Sequence, residues 1–312
     1  MRGPSVNIEL VGDHAAQRTA ELINVADDQS REEVENLSKR YVTELKPRSG
    51  WAGVNLAELW QYRSLLMIFV WRDIKVRYKQ TTLGPLWIVL QPLAMTVIYS
   101  IFFGYIARIP SGDVPYPVFV LSGIVIWQFF LRAVNEGSTS LAAYQGLIGK
   151  IYFPRLLAPL TAMTGAVLDF VIMLGILLPV MLYFGIWPGF TVLLAPFFLL
   201  ALGLVALGIS LFLTGLDAIF RDVRYALSFV LQIWYFTSPI IYPVELVPER
   251  FRTIYLLNPT TPLVQGFRSA ILGQDSMPPM WSLAWASLMS LVILLVGLAV
   301  FQRIERNIVD RI

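Results

Sequence analysis

Apolar positions along this chain gather into six long stretches, separated by short connections that carry most of the charge. They run over residues 83–107, 116–142, 159–184, 191–216, 226–244 and 280–302. About 20 helical residues at ~1.5 Å rise cross a hydrocarbon core of ~30 Å. The pattern predicts an all-α, polytopic membrane protein with six transmembrane helices. Three segments depart from it. Residues 1–50 are polar, and Ser30 and Glu33 stand at a capping-box spacing ahead of Val34, Leu37, Tyr41 and Leu45 on one face. One helix is expected there, within a polar cytoplasmic N-terminal extension. Residues 51–80 hold only a short apolar core, 65–71, flanked by Trp60, Tyr62, Trp71 and Tyr78 and by Arg63, Arg72, Lys75, Arg77 and Lys79. That mixture predicts an amphipathic helix lying in the headgroup layer; an unorganised basic juxtamembrane segment is the alternative. Residues 81–312 form the six-span domain.

The third departure is the connection between spans five and six. It contains two apolar segments, 251–257 and 263–272, each too short to cross. Asn258-Pro259-Thr260-Thr261-Pro262 separates them. A re-entrant outer hairpin fits, because irregular backbone at membrane depth persists only where protein or water covers it. Phe251, Asn258, Pro259, Pro262, Phe267 and Arg268 are its candidate gate residues; two helices resting on the outer surface are the competing picture.

Composition narrows the function. Apolar residues make up 56% of the chain and charged residues 14%, against about a quarter charged in soluble domains. A net charge of +3 gives no case for nucleic acid. Cysteine is absent and His14 is the one histidine, so neither a disulfide framework nor a metal site is expected. The start has no apolar run of the kind a signal peptide needs. Arg and Lys concentrate near one set of span ends, among them Lys150, Arg155, Arg221, Arg224, Arg303 and Arg306. By the positive-inside rule both termini are expected in the cytoplasm.

No catalytic constellation is present. The run Gly146-Leu147-Ile148-Gly149-Lys150-Ile151 lacks the glycine and the hydroxyl that a phosphate loop requires. Asp169 is expected to bond a neighbouring helix, and Arg132 and Glu136 to pair at four residues' spacing. No series of Asp, Glu and His crosses the membrane, which disfavours an ion-driven carrier and points to energy from a partner. Tyr225, Ser228, Gln232, Tyr235 and Tyr242 recur at helical spacing along span five, and Trp87, Gln91, Phe102 and Tyr105 along span one. Rings with hydroxyls and amides suit a sugar polymer sliding past, so these are candidate channel-lining residues; interfacial anchoring is the plainer role. Lys150, Tyr152, Phe153 and Arg155 cluster on the short cytoplasmic connection before span three. They form either a docking surface for a soluble motor or a membrane-hugging linker.

Several strings then stand in a telling order. Residues 72–81 read RDIKVRYKQT, followed by Leu83-Gly84-Pro85-Leu86-Trp87 and Gln91-Pro92. Arg221-Asp222-Val223-Arg224, Ser238-Pro239-Ile240-Ile241-Tyr242-Pro243 and Asn258-Pro259 come after them. Together, over roughly residues 51–312, they resemble the permease subunit of polysaccharide-exporting ABC transporters, the O-antigen and teichoic-acid type. The resemblance implies a homodimer in the bacterial inner membrane above two nucleotide-binding ATPase subunits, with ATP and Mg bound there and no cofactor on this chain. It implies a substrate such as undecaprenyl-diphosphate-linked polysaccharide, with membrane lipid as the other contact. It also implies an interfacial helix at 56–79, an ATPase contact at 144–155 and an exit gate at the hairpin. Arg72, Lys75, Arg77 and Lys79 become candidates for the carrier's diphosphate, with anchoring to anionic lipid as the competitor. Phe220 stands where many relatives carry Tyr, and the extension before residue 51 is longer than in the shortest members. A drug or lipid exporter of the same class is the runner-up, and a polytopic glycan-processing enzyme the more distant one.

Overall fold

The computed structural model describes residues 56–79, 84, 86–148, 150–217, 222–274 and 276–308. The helix expected at 30–45, and with it the extension 1–50, lies outside these residues. Among the described residues the chain is helical without strands. The order is α1 (Leu56–Gln61), α2 (Arg63–Lys79), α3 (Leu86–Tyr99) and a π-helical continuation (Ser100–Ile106), α4 (Tyr116–Ser138), and two one-turn helices (Ser140–Ala143 and Gln145–Ile148). Then come α5 (Leu157–Tyr183), a 3-10 turn (Phe190–Leu194), α6 (Ala195–Asp217), α7 (Val223–Phe236), α8 (Glu249–Leu257), α9 (Thr260–Leu272) and α10 (Met280–Ile308).

Five of these units are long and apolar enough to cross a membrane: 86–106, 116–138, 157–183, 190–217 and 280–305. Each falls within a few residues of its expected stretch. The stretch 226–244 differs. Its helix, α7, is 14 residues long and ends at Phe236, a rise of only ~21 Å. The chain continues apolar through Ile240 and Ile241, both buried, but Pro239 lacks the N–H that helix propagation needs. Hydropathy cannot separate buried non-helical backbone from helix, hence the over-long reading.

α4 is the centre of the molecule, with Val118, Val125, Ile126, Phe130 and Val134 inaccessible to solvent. The α3, α5, α6 and α9 helices pack around it. The α6 and α10 helices cross at Gly208 and Gly297, where a Cβ on Gly297 would stand 2.1 Å from the Gly208 carbonyl oxygen. Small residues there let the two backbones touch, the usual route to tight helix association in lipid. A second, smaller core joins α2 to the α4–α5 connection through Phe69, Tyr144, Phe153, Leu157 and Ala158.

The α2 helix is not amphipathic in the expected sense. Arg63 opens the helix, the apolar run 65–71 follows, and Arg72, Lys75, Arg77 and Lys79 come after it, so the two classes separate along the axis rather than around it. Phe69 packs with Leu157 and Ala158 at the base of α5, and Arg77 Nη1 lies 3.6 Å from Asp169 further along it. The helix therefore runs beside the first half of α5.

Candidate functional site

Three neighbourhoods carry the polar and aromatic residues that the pattern singled out. The first is the joint between α2, α4 and α5. Arg77 Nη2 donates to Glu136 Oε1 at 2.5 Å, and Arg132 Nε donates to the same oxygen at 3.2 Å. The Asp169 carboxylate pairs with Arg132 and lies 3.6 Å from Arg77 Nη1. Two cations and two carboxylates thus balance in a partly buried cluster, the condition under which charges are tolerated away from water. The expected Arg132–Glu136 pair is present, and Asp169 bonds its neighbours. Arg77, however, faces this joint rather than the headgroups.

The second neighbourhood is the connection between α4 and α5. Tyr144 donates its hydroxyl proton to Asp73 Oδ2 at 2.7 Å, and the Arg72 guanidinium lies 4.2 Å over the Tyr144 ring while bonding Asp73 at 2.9 Å. Burial, and then the bond to Asp73, push the Tyr144 hydroxyl pKa upward. Arg72 is therefore engaged as well, which leaves Lys75, 5.3 Å over Trp71, and the exposed Lys79 as the bases free to meet headgroups. Phe153 is corrected too. It was expected on a docking surface, but it is 4% exposed, packed edge-on against Phe69 at 5.3 Å. An aromatic among bases looks superficial in sequence; here it closes a small core. Lys150 and Tyr152 do stay exposed. Tyr152 donates to Glu58 at 3.4 Å, and partial burial, then Glu58, raise its pKa. Arg155 Nη1 donates to the Glu305 carbonyl at 3.2 Å, tying the connection to the end of α10.

The third neighbourhood is the hairpin, α8 and α9. Every residue of α9 except Gln265 is buried, including Pro262, Phe267 and Arg268. Arg268 reaches back to α4: Nε donates to Ser122 Oγ at 3.3 Å, Nη2 to the Ile240 carbonyl at 3.0 Å, and the guanidinium lies 3.8 Å over the Phe119 ring. Gly123 makes room, since a Cβ there would stand 2.4 Å from Nη2. Asn258 organises the hairpin bend. Its Oδ1 accepts from the Thr260 N–H at 3.2 Å and from Trp234 Nε1 at 3.0 Å, and its Nδ2 donates to the Thr237 carbonyl at 3.2 Å. One side chain accepts the first N–H of α9 and pins the helix to the end of α7. Pro259 is half-buried beside it. Phe251 lines an apolar cavity of about 680 Å3 between α7 and α8, with Trp234, Ile254 and Tyr255.

The proposed lining stripe divides. Tyr225, Ser228 and Gln232 are exposed on α7, as are Trp87, Gln91, Phe102 and Tyr105 on α3 and its π-helical continuation. Tyr235 instead packs edge-on against Trp127 at 5.6 Å and at a tilt against Tyr99 at 6.3 Å, and Tyr242 donates to the Phe236 carbonyl at 2.7 Å. Those two hold α7 to its neighbours. The Tyr99–Tyr235 contact also brings α3 and α7 together, which their spacing in sequence could not show. Arg224 clasps Asp217 through Nε at 2.6 Å and Nη2 at 2.8 Å, closing the α6–α7 connection. Ser122, Gly123, Asp73, Tyr144 and Trp234 escaped the sequence reading; each acts through a partner far away in the chain.

Residues 64–272 match the family model described as ABC-2 type transporter. The chain is 29% identical over 249 residues to the O-antigen export system permease protein RfbA of Myxococcus xanthus, covering 78% of this chain and 94% of that one. It is 26% identical over 242 residues to the O-antigen export system permease protein RfbA of Klebsiella pneumoniae, covering 77% and 92%. To the polysialic acid transport protein KpsM of Escherichia coli it is 29% identical over 242 residues, covering 75% and 91%.

Proposed function

The chain belongs to the ABC-2 type transporter family, and from that premise we propose that it is the membrane-spanning subunit of an ATP-driven exporter. Its cargo is a lipid-linked polysaccharide, an O-antigen or similar glycan, moved across the inner membrane. The observation that carries this reading is the extent of the likeness. It covers 94% of the Myxococcus O-antigen export permease, and the family match reaches Leu272, so both hairpin limbs are inside it.

In this reading α7 and the hairpin together complete the sixth crossing, with α9 re-entrant and both termini cytoplasmic. Residues 1–50 extend into the cytoplasm, 51–80 lie at the interface, and 81–312 form the permease domain. Two copies assemble above two ATPase subunits, which bind ATP and Mg; this chain performs no hydrolysis. Their closure reaches the membrane through Lys150, Tyr152 and Arg155, and the second core passes it to α2 and α5. Lys75 and Lys79 meet the carrier's diphosphate or anionic lipid. The glycan slides along the exposed faces of α3 and α7, past Trp87, Gln91, Phe102, Tyr105, Tyr225, Ser228 and Gln232, and the hairpin parts at the exit.

Depletion of the protein in its host tests the cargo. Lipid-linked glycan should build up inside spheroplasts while surface glycan disappears. Finished polymer still reaching the surface, with no intermediate accumulating, would overturn the polysaccharide reading. Coupling is tested separately: Tyr152→Ala should lower cargo-stimulated ATPase activity and leave the thermal midpoint alone, whereas Phe153→Ala should lower the midpoint itself.

A further inference from the structure

The connection between α5 and α6 is chemically unlike the others. Between Asp169 and Asp217 the sequence contains no charged residue at all. The connection between the π-helical segment and α4 carries Arg108 and Asp113, and the approach to α8 and its first residue carry Glu245 and Glu249. A turn that emerged into water would have no reason to avoid charge over such a length.

Its geometry sorts the side chains into two sets. The α5 helix ends in a Schellman arrangement: the Ile186 N–H bonds the Met181 carbonyl at 2.9 Å and the Gly185 N–H bonds Leu182 at 3.0 Å. Gly185 adopts φ +75° to allow it. That turn aims Ile186 inward, where it and Val192 pack on the main core. Thr191 Oγ1 donates to the Ala270 carbonyl of α9 at 2.9 Å. The protein side of the connection is thus tied down, and the other side cannot rotate to bury itself. On that other side Tyr183 is 85% exposed, Trp187 76%, Phe190 95% and Leu193 77%.

We infer that residues 183–194 are a lipid-immersed wedge, with Tyr183, Trp187, Phe190 and Leu193 inserted among lipid acyl chains next to the headgroup boundary. The depth follows from two opposing demands. The irregular backbone around Pro188 and Gly189 needs water or headgroup partners and cannot lie in the hydrocarbon centre. The aromatic side chains favour the interfacial layer, where Trp and Tyr concentrate. The absence of charge favours lipid over a polar partner, and the helices on either side are themselves long enough to cross. The inference rests on the reading of α5 and α6 as membrane spans and is independent of the cargo.

The chain has no cysteine, so single nitroxide labels can be placed without background. Trp187→Cys, Phe190→Cys and Leu193→Cys replace side chains exposed on the protein surface, and Asp113→Cys provides a charged-connection reference. The full chain is labelled, reconstituted in phosphatidylethanolamine–phosphatidylglycerol vesicles, and probed by power saturation with oxygen and with a nickel chelate. The labels at 187, 190 and 193 should collide freely with oxygen and several-fold less with nickel than the label at 113. Nickel access equal to that at 113 would place the connection in water and overturn the proposal. Low access to both agents would mean that protein, such as a second copy, covers the surface, and would overturn it equally.

Discussion

α4 holds an arginine site near each end, and the two follow opposite rules. Near its C-terminal end Arg132 joins Arg77, Glu136 and Asp169 in a cluster whose charges cancel. Near its N-terminal end Arg268 sits 3% exposed on a ring, a hydroxyl and a carbonyl, with no described carboxylate in ion-pairing distance. Parting the first site strands charges of both signs in a poorly solvated place, which is costly. Parting the second strands one cation and leaves dipoles that other donors can satisfy. The first arrangement suits a fixed joint between α2 and the spans. The second is the easier of the two to part, as the proposed opening of the hairpin at the exit would require.

Breaking the balanced site should have the largest effect. Asp169→Asn leaves Arg77 and Arg132 to share Glu136, and removal of one partner from a buried pair costs about 3–5 kcal/mol. Thermal unfolding in detergent should show a large drop in midpoint. The double variant Asp169→Asn/Arg132→Met restores the balance and should recover most of it. Equal midpoints for the single and double variants would mean that charge balance is not what holds the joint.

The unbalanced site should respond more moderately and more locally. In Gly123→Ala the new Cβ meets Arg268 Nη2 at 2.4 Å and the Ile240 backbone, its carbonyl oxygen at 2.9 Å and its Cα at 3.2 Å. The guanidinium can swing aside, but the backbone carbonyl cannot, so overpacking of about 1–3 kcal/mol is expected. The loss should show as faster protease cleavage within 237–260 while α2 and the α4–α5 connection keep their protection. Uniform loosening of the whole chain would deny the hairpin its independence.

The contrast between these sites explains what could be read from sequence. The spans were legible because hydrophobic length is a property of contiguous residues. So was the bend at Asn258-Pro259, where two breakers interrupt apolar runs. Arg132 and Glu136 were legible because their spacing makes them helical neighbours. Arg268 was visible as a charge on an apolar segment, but Ser122 lies 146 residues before it, and no local pattern reports that distance. Phe153 and Arg77 misled for a related reason: local composition says which residues could face a membrane or a partner, and tertiary contact decides which do. The Ser238-Pro239 segment adds a further limit, since buried irregular backbone has the hydropathy of a span.

The smallest effect separates bases that composition treated alike. Arg72 and Arg77 are committed to Asp73 and to the charged joint, whereas Lys75 and Lys79 are exposed. Exposed substitutions usually change stability by no more than about 0.5 kcal/mol, so Lys75→Gln/Lys79→Gln should unfold at nearly the wild-type midpoint in neutral detergent. A basic side chain near an anionic surface is worth about 1 kcal/mol. Added phosphatidylglycerol should therefore stabilise the wild type and stabilise the double variant less, by up to about 2 kcal/mol for the two lysines. Arg77→Gln should do the reverse, losing stability in neutral detergent while keeping its response to phosphatidylglycerol. If the lysine variant keeps the full response, headgroup recognition does not reside in α2, and the basic half of that helix serves only the joint.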